Sequence, residues 1–449
     1  MNSNTELQIN RLNQQVIRLY QQGLYEEALE VAGKACRFAS QHLGEKHPDF
    51  AISLNYLAML HYAVGDYASA ERLYQRALMI YCATLGENSP DFAGLLNNLA
   101  AVYKSMGDYK AAEPVYQQAS EIYRRSLGED HPYFATSLNN LAHLYSRLGK
   151  HNLAEPLYHQ ALEIRRKTLG ENDPEFAQSL SNLAMLYRDT GNCAAAEPLC
   201  RQSLAIVRAA LGERHPDFAE SLQKLVMVCD SMGKYSVAEP LCRQMVEVYR
   251  TTLGENHPDF AHALDDLAGL YCAMGKYEVA EPLYHRVVKI YSNTLGEDHP
   301  HFAVSLNNLA MLYREMGNYS AAEPLCRRAS NIVRNTLGED HPNWATSLHN
   351  LAGLYESMGD YAAAEALCRQ ALDVARTASG EDHPYFAKHL NNLARLYSTI
   401  GDYTSAEQLY RQAVQVIRNA LGEDHPDFAM SLNSQALLYY SMGNYAAAE

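Results

Sequence analysis

The chain of 449 residues lacks the features that carry a protein into or across a membrane. No apolar run approaches the roughly 20 residues that a membrane-spanning helix needs, and the N-terminus, MNSNTELQINRLNQQ, has no apolar core of a secretory signal. The net charge of -15 leaves no cationic excess to attract nucleic acid or anionic lipid. We therefore expect a cytoplasmic protein that neither inserts in membranes nor binds nucleic acid.

Catalytic and metal-binding patterns are also absent from the sequence. The nine cysteines form no CxxC pair, and there is no P-loop, GxGxxG, HExxH or GxSxG motif. Four cysteines share one position at which other parts of the chain carry tyrosine, namely Cys200, Cys242, Cys326 and Cys368. A position that accepts either residue is typical of packing, because metal ligands need several donors that converge. We expect no metal, no cofactor and no enzymatic activity.

What the chain has instead is one stretch repeated at a fixed interval. LGEDHPDFA, from Leu421 to Ala429, has close copies throughout the sequence, and its glycine recurs every 42 residues without insertion or deletion. The members of this series are Gly44, Gly86, Gly128, Gly170, Gly212, Gly254, Gly296, Gly338, Gly380 and Gly422. Repeats of this length indicate a solenoid, which grows by stacking units and needs no division into separate domains.

Each unit contains two predicted helices, A and B, as residues 91–129 illustrate. In DFAGLLNNLAAVYKSMG the apolar residues at spacing i, i+3, i+4 and i+7 form one face of helix A, namely Leu96, Leu99, Ala100 and Tyr103. Pro90 suits the first turn of helix A, Gly107 ends that helix, and Asp108 can cap helix B. Helix B, YKAAEPVYQQASEIYRRSLG, has its own apolar stripe. Its Ala112 is alanine in every later unit, which lets two helices approach closely.

The histidine of the repeated stretch has no expected catalytic role. It stands between the glycine that ends helix B and the proline that begins the next helix A, and it becomes Ser89 and Asp173 in two units. A metal ligand or a general base would not be exchanged so freely within one chain. We therefore predict that the stretch is a solvated turn, with Gly128 in a left-handed conformation at the end of helix B.

The pattern LNNLAxLYxxMGxYxxAEPLYxxALxIxxxxLGEDHP resembles the tetratricopeptide repeat, and most closely the 42-residue repeats of kinesin light chains. The resemblance covers essentially the whole chain. It implies an all-α fold, an α-solenoid of stacked antiparallel helix pairs that forms a right-handed superhelix with a concave groove. It also implies that the A helices line this groove.

The two ends of the chain depart from the repeat. Residues 1–47 contain a degenerate first unit in which Gln15 replaces a leucine, and such a polar change is typical of a capping repeat. Residues 48–449 hold the tandem 42-residue repeats, and the last repeat stops one turn into helix B. Because a lone helix A cannot bury both of its faces, we expect that Glu449 is not the natural end.

Candidate binding residues lie on the face of helix A opposite its apolar stripe. Two adjacent positions carry asparagine in most units, although asparagine is a mediocre helix former. These residues are Asn97, Asn98, Asn139, Asn140, Asn182, Asn307, Asn308, Asn350, Asn391 and Asn392. Their amides offer donors and an acceptor to the backbone of an extended peptide, which is the role that the resemblance to kinesin light chains implies. The alternative is that these side chains brace neighbouring repeats.

The same face of the A helices carries charged residues. The basic ones that we predict to contact a ligand are Lys104, Arg147, Arg188, Lys224, Arg314 and Arg395. In the middle of the chain, Lys224 and Asp266 occupy asparagine positions, and Met245 and Val287 replace a small residue of helix B. The sequence leaves two interpretations of this middle region, a specificity zone or drift.

These features favour a non-catalytic scaffold that binds peptide segments of partner proteins in the groove. One alternative is a sensor module of a larger protein, with a nucleotide-switch or caspase-like effector domain outside this chain. A third hypothesis, a kinesin accessory chain, is weaker because the sequence has no heptad tract of several repeats for a coiled coil.

Overall fold

The computed structural model describes residues 2–423 and 426–445. These residues form 21 α-helices and no strand, which confirms the predicted all-α fold. Odd-numbered helices are the A helices of the repeat and even-numbered helices are the B helices. In chain order they are α1 (Asn2–Gln21), α2 (Tyr25–Leu43), α3 (Pro48–Ala63), α4 (Tyr67–Thr84), α5 (Pro90–Ser105), α6 (Tyr109–Leu127), α7 (Pro132–Arg147), α8 (His151–Leu169), α9 (Pro174–Asp189), α10 (Cys193–Leu211), α11 (Pro216–Ser231), α12 (Tyr235–Thr252), α13 (Pro258–Ala273), α14 (Tyr277–Thr294), α15 (Pro300–Glu315), α16 (Tyr319–Leu337), α17 (Pro342–Met358), α18 (Tyr361–Ser379), α19 (Pro384–Ile400), α20 (Tyr403–Leu421) and α21 (Pro426–Ser441).

The boundaries of the units follow the glycine and proline positions of the repeated stretch. Every A helix from α3 to α21 begins at the proline of the repeated stretch. The proposed end of the last repeat, in residues 446–449, lies outside the described residues. The capping role of residues 1–47 stays a prediction. None of the described helices has the length and apolar character to cross a membrane.

The residue before each proline from Pro48 to Pro384 is the N-cap of its helix A. Nδ1 of His131 accepts a hydrogen bond from the backbone N–H of Tyr133 at 3.1 Å. Oγ of Ser89 accepts from Phe92 N–H at 3.2 Å, and Oδ1 of Asp173 accepts from Glu175 N–H at 2.8 Å. What histidine, serine and aspartate share is an acceptor for an unpaired N–H of the first helical turn. The exchange of histidine for Ser89 and Asp173 is therefore a change between equivalent caps.

The glycine that ends helix B differs from the prediction in its backbone conformation. Gly128 has φ 94° and ψ 165°, which is extended rather than left-handed helical. This region of the backbone map is open almost only to glycine, because a Cβ atom would collide with the chain. The helix stops there because the chain leaves it in an extended segment that leads to the next N-cap. Asp108 caps helix B as predicted, with Oδ1 accepting from Ala111 N–H at 3.0 Å.

The helix pairs stack in chain order, as a solenoid requires. Each A helix packs against its own B helix, and each B helix packs against the A helix of the next unit. The alanine of helix B predicted to permit close approach, Ala112, is fully buried, as are its equivalents from Ala28 to Ala406. Met245 and Val287 are also fully buried, so the bulkier middle units are accommodated inside the stack.

A tyrosine–glutamate hydrogen bond joins most neighbouring units. The hydroxyl of Tyr187 in helix A donates to Oε1 of Glu155 in the preceding helix B at 2.9 Å. The same bond recurs from Tyr103, Tyr145, Tyr271, Tyr313, Tyr355, Tyr397 and Tyr439. It is interrupted where Cys229 replaces the tyrosine, and there Glu197 pairs with Lys234 at 2.7 Å. The glutamate that follows the buried alanine of helix B, such as Glu155 after Ala154, thus ties one unit to the next.

The superhelix closes tightly enough for one superhelical turn to touch the next. Nε2 of His299 lies 3.2 Å from the backbone oxygen of Ala63, and Nε2 of His341 lies 3.0 Å from that of Ser105. Both contacts join residues 236 positions apart, which is between five and six units of 42 residues. We call α1–α10 the first superhelical turn and α11–α21 the second. The contact between them is the turn-to-turn interface.

Candidate ligand-binding surface

The A helices form the inner wall of the superhelix, which we call the A-helix wall. Successive A helices lie against one another, as α9 does against α11 and α15 against α17. Contacts between like helices of neighbouring units are made mainly by the A helices. In a curved stack, the layer whose members lie closer together is on the inside. The predicted binding residues are all on these helices.

The first asparagine row does not lie on the open face, in contrast to the prediction. Asn97, Asn139 and Asn307 are only 6–9% exposed. Nδ2 of Asn139 donates to Ser179 Oγ of the next A helix at 3.3 Å, and Nδ2 of Asn391 donates to Ser431 Oγ at 3.2 Å. Because neighbouring A helices pack directly against each other, this position falls between them. The first row braces the wall, which is the alternative that the sequence had allowed.

The second asparagine row is more accessible than the first. Asn98 is exposed, and the half-buried members of the row are Asn140, Asn182, Asn308, Asn350 and Asn392. Two of the six also bond to the preceding A helix. Nδ2 of Asn98 donates to Asn55 Oδ1 at 3.0 Å, and Nδ2 of Asn308 donates to Asp265 Oδ2 at 2.9 Å.

Of the four other members, Asn392 has its Nδ2 atom buried without a hydrogen-bond partner in the described residues, and three amides remain accessible. Within residues 2–423 and 426–445, no side-chain hydrogen bond engages Asn140, Asn182 or Asn350. All three are half-buried, so their amides combine partial burial with free donors and acceptors.

Four of the six predicted cations of the wall are neutralised by nearby carboxylates. Arg188 pairs with Asp189, and Arg314 pairs with Glu315 at 2.7 Å. In the remaining two pairs, Arg395 binds Glu356 at 2.6 Å and Lys224 lies 3.7 Å from Glu220. Since surface ion pairs contribute little stability, their main effect is to cancel the charge that a ligand would meet.

Lys104 and Arg147 are the two cations without such a partner, and together with His143 they form what we call the basic site. No carboxylate of the described residues forms an ion pair with Lys104 or Arg147. The Lys104 ammonium lies 3.1 Å from Nδ1 of His143. Burial, reinforced by Arg147, lowers the pKa of Lys104 to about 8. Burial and the charges of Lys104, Arg147 and Lys224 lower the pKa of His143 to about 4, so this histidine is a neutral acceptor.

The middle of the wall has the opposite electrostatic character. Burial raises the pKa of Asp265 to about 6, although the bond from Asn308 opposes the shift. Burial also raises the pKa of Asp230, with Asp266 adding to the effect. Oδ2 of Asp266 accepts from Gln223 Nε2 at 2.7 Å. The departures from the repeat pattern in the middle units therefore create an acidic patch on α11 and α13, which α9 separates from the basic site on α5 and α7.

His143, the partner of Lys104, is not among the residues predicted from the sequence. Equivalent positions of the repeat are 42 residues apart, so the repeat pattern does not pair these two residues. The available signal was the separation of 39 residues, which brings the end of one A helix beside the middle of the next. The same separation joins Arg395 to Glu356. Among the described residues, no group of three or more His, Cys, Asp or Glu side chains is arranged to hold a metal ion.

This combination of stacked helix pairs and a polar inner wall defines a helical repeat protein. Two family models, both described as tetratricopeptide repeat, match the chain almost throughout. One matches residues 10–49 and 50–91, and the other matches residues 91–174, 175–251, 231–291, 259–325, 301–377, 345–418 and 385–449. The chain belongs to the tetratricopeptide repeat family, whose members generally act as protein-interaction scaffolds.

Solved structures that are similar to this chain include kinesin light chain-like repeats. Nearly identical TPR-like repeats from Podosopora anserina, described as a kinesin light chain, are 30% identical over 46% of this chain and 98% of theirs, with a TM-score of 0.40. BtubC (BKLC) from P. vanneervenii is 21% identical over 54% of this chain and 92% of its own, with a TM-score of 0.41. A Rap protein complexed with competence and sporulation factor is 15% identical over 83% and 99%, with a TM-score of 0.49. No curated protein matches this chain.

Proposed function

We propose that this protein is a non-catalytic scaffold that binds a peptide segment of a partner protein along the A-helix wall. An acidic side chain of the peptide occupies the basic site. The observation that carries the proposal is the uncompensated charge of Lys104 and Arg147 on a wall where the other four predicted cations are paired.

The electrostatics of the basic site favour an anionic ligand group. Burial and Arg147 both disfavour the charged form of Lys104, which is why its pKa is lowered to about 8. A ligand carboxylate placed between the two cations reverses that repulsion, and its attraction is strengthened by partial burial. Because the whole chain carries a net charge of -15, an acidic ligand gains nothing from the overall field. Recognition therefore depends on this local site.

The free amides and the acidic patch complete the binding surface. Asn140 and Asn182 continue the wall from the basic site, and their amides match the alternating N–H and C=O groups of an extended peptide. The acidic patch around Asp230 and Asp266 attracts a lysine or arginine of the ligand. We therefore propose a peptide that carries an acidic residue and, further along, a basic one. Charge order fixes its direction on the wall.

The proposal is tested by selecting peptides from a random display library against the full chain. The selected peptides are expected to be enriched in aspartate or glutamate. The double variant Lys104→Ala/Arg147→Ala is expected to bind them at least about tenfold more weakly, since losing a partly desolvated charge contact costs more than about 1.4 kcal/mol. Fluorescence anisotropy of a labelled peptide provides the dissociation constant.

Two matched controls distinguish local recognition from a change in net charge. Lys289→Ala and Arg125→Ala remove the same number of charges from exposed positions on α14 and α6, both B helices, and binding is expected to be unchanged. Asn182→Ala tests the amide contribution separately. The proposal fails if the selected peptides show no acidic enrichment, or if the two B-helix substitutions weaken binding as much as those at Lys104 and Arg147.

A further inference from the structure

The turn-to-turn interface uses two kinds of corner that repeat along the chain. An A–B corner is the glycine between helix A and helix B of a unit, such as Gly107. A B–A corner is the His-Pro pair before the next helix A, such as His341–Pro342. At the interface, a methyl group on Gly107 would lie 2.8 Å from Pro342 Cδ, and one on Gly65 would lie 3.0 Å from Pro300 Cδ. Only glycine leaves room for the opposing corner at this distance.

Each superhelical turn has a row of A–B corners along one edge and a row of B–A corners along the other. Only one of these two edges takes part in the turn-to-turn interface, and the other is free. The first turn contributes the A–B corners at Gly23, Gly65, Gly107 and Gly149. The equivalent corners of the second turn, Gly233, Gly275, Gly317, Gly359 and Gly401, have nothing within 4 Å of the position that a methyl group would take. We call these free corners the A–B edge. The opposite free edge, the B–A edge, consists of the corners at His47, Ser89, His131 and Asp173 of the first turn and the corner at His215, which leads into the second turn.

The free corners have the same local geometry as the occupied ones. His47 has φ -81° and ψ 140°, and the interface residue His299 has φ -76° and ψ 139°. In both, Nδ1 accepts the backbone N–H two residues later, at 3.2 and 3.0 Å. Nε2 of His299 is thereby left to reach a backbone oxygen at the end of a first-turn A helix. Nε2 of His47 is held in the same orientation, and the ends of the second-turn A helices offer the same kind of unpaired carbonyl.

Apolar side chains also stand exposed at the two free edges. Three apolar residues on the A–B edge are 39–42% exposed, namely Met316, Met358 and Ile400. Their first-turn equivalent, Met106, is only partly exposed. Met106 and Leu337 both line a cavity of 630 Å³ at the turn-to-turn interface. On the B–A edge, Leu85 is 45% exposed. Its second-turn equivalent Leu421 lies 2.9 Å from the position of a methyl group on Gly149. Both edges therefore present the apolar groups that the interface covers elsewhere.

We propose that the A–B edge of one molecule binds the B–A edge of a second copy of the same chain, which continues the turn-to-turn interface between molecules. The two edges are different surfaces, so the contact is head-to-tail and leaves a free edge at each end. The assembly therefore grows as a filament rather than closing as a dimer. The B–A edge has histidine at three of its five corners and the shorter caps Ser89 and Asp173 at the others. The intermolecular contact is accordingly weaker than the internal one, and association is reversible.

The experiment compares variants that block one edge at a time. Met358→Glu/Ile400→Glu places charge on the A–B edge, and Leu85→Glu/Leu211→Glu places charge on the B–A edge. All four residues are exposed, so folding is preserved, and circular dichroism checks this. Met79→Glu is the control, because Met79 is 66% exposed but lies on the B helix α4, away from both edges. Sedimentation velocity of the full chain across a range of concentrations measures the mass distribution.

The unmodified chain and Met79→Glu are expected to show a mass that rises with concentration. Each edge variant alone is expected to remain a single chain of 50.2 kDa. An equal mixture of the two edge variants still contains one intact edge of each kind, so it is expected to form a species of twice that mass and nothing larger. A single chain at every concentration of the unmodified protein overturns the proposal. So does association that persists in either edge variant, or a mixture that stays monomeric.

Discussion

Acidification is expected to open the superhelix, because the turn-to-turn interface depends on neutral histidines. Nδ1 of His299 accepts from His301 N–H at 3.0 Å while Nε2 faces the Ala63 carbonyl at 3.2 Å, so the ring must carry its single proton on Nε2. Protonation of Nδ1 turns an acceptor into a donor that points at an N–H. Burial, with the neighbouring His301 adding to it, lowers the pKa of His299 to about 4. The pKa of His341 is lowered as well, chiefly by burial.

The magnitude follows from the difference between the closed and open states. A solvated histidine has a pKa near 6.5, so the closed form is fully favoured above that value and loses stability as the pH falls towards about 4. Each pH unit below about 6.5 costs ~1.4 kcal/mol for one histidine, which gives ~2 kcal/mol for His299 at about pH 5. His341 adds to this loss with the same sign.

Small-angle X-ray scattering measures the opening as an increase in the radius of gyration, with helix content followed by circular dichroism. The double variant His299→Asn/His341→Asn keeps the capping acceptors but removes two cross-turn donors and the titration of these two residues. It is expected to be expanded at neutral pH and to respond less to acid than the unmodified chain, in which His257 and His383 titrate as well. His131→Asn makes the same exchange at the free B–A edge and is expected to behave like the unmodified chain. The reasoning is refuted if acid leaves the dimensions unchanged, or if His131→Asn expands the molecule equally.

Three further predictions concern ligand binding and stability. Affinity for an acidic peptide is expected to fall as the pH rises through about 8, because Lys104 then loses its charge, and anisotropy titrations across that range check this. Gly128→Ala is expected to cost about 1–3 kcal/mol in urea unfolding because φ is 94°, whereas Gly33→Ala, inside α2, is expected to be neutral or stabilising. Tyr397→Phe is expected to cost about 1–1.5 kcal/mol by removing the 2.8 Å bond to Glu365, and an unchanged urea midpoint would contradict a stabilising role for that bond.

The helices of the repeat could be predicted from the sequence because glycine and proline determine the backbone conformation of the residues next to them. The prolines predict where A helices begin, the alanine equivalent to Ala112 predicts close helix packing, and Asp108 predicts a cap. Each of these depends on backbone chemistry within a few residues. The predicted conformation of Gly128 was wrong because the segment after it continues in extended form to the next N-cap. A rule for a single helix end does not include that segment.

The binding surface was only partly readable because it depends on contacts between units. Helical periodicity separates the two faces of one A helix, but it assigns the adjacent residues Asn97 and Asn98 to the same face. The structure shows that the two differ in burial. The first falls between neighbouring A helices and the second remains exposed. Periodicity likewise gave no sign that His143 would contact Lys104, or that His341 would bond to Ser105 across 236 residues. Those pairings follow from the curvature of the stack, which single-unit patterns do not specify.

Contact across 236 residues also changes how the molecule stores and releases mechanical work. A solenoid held only by adjacent units stretches like a soft spring and can refold from any point along its length. Here, pulling on the two ends must first break the row of corner contacts before the helix pairs can separate. Refolding must then close a loop of more than five units, an entropic step that a neighbour-only stack never meets. The chain is thus expected to lengthen with an initial yield point and to recover slowly once that point is passed.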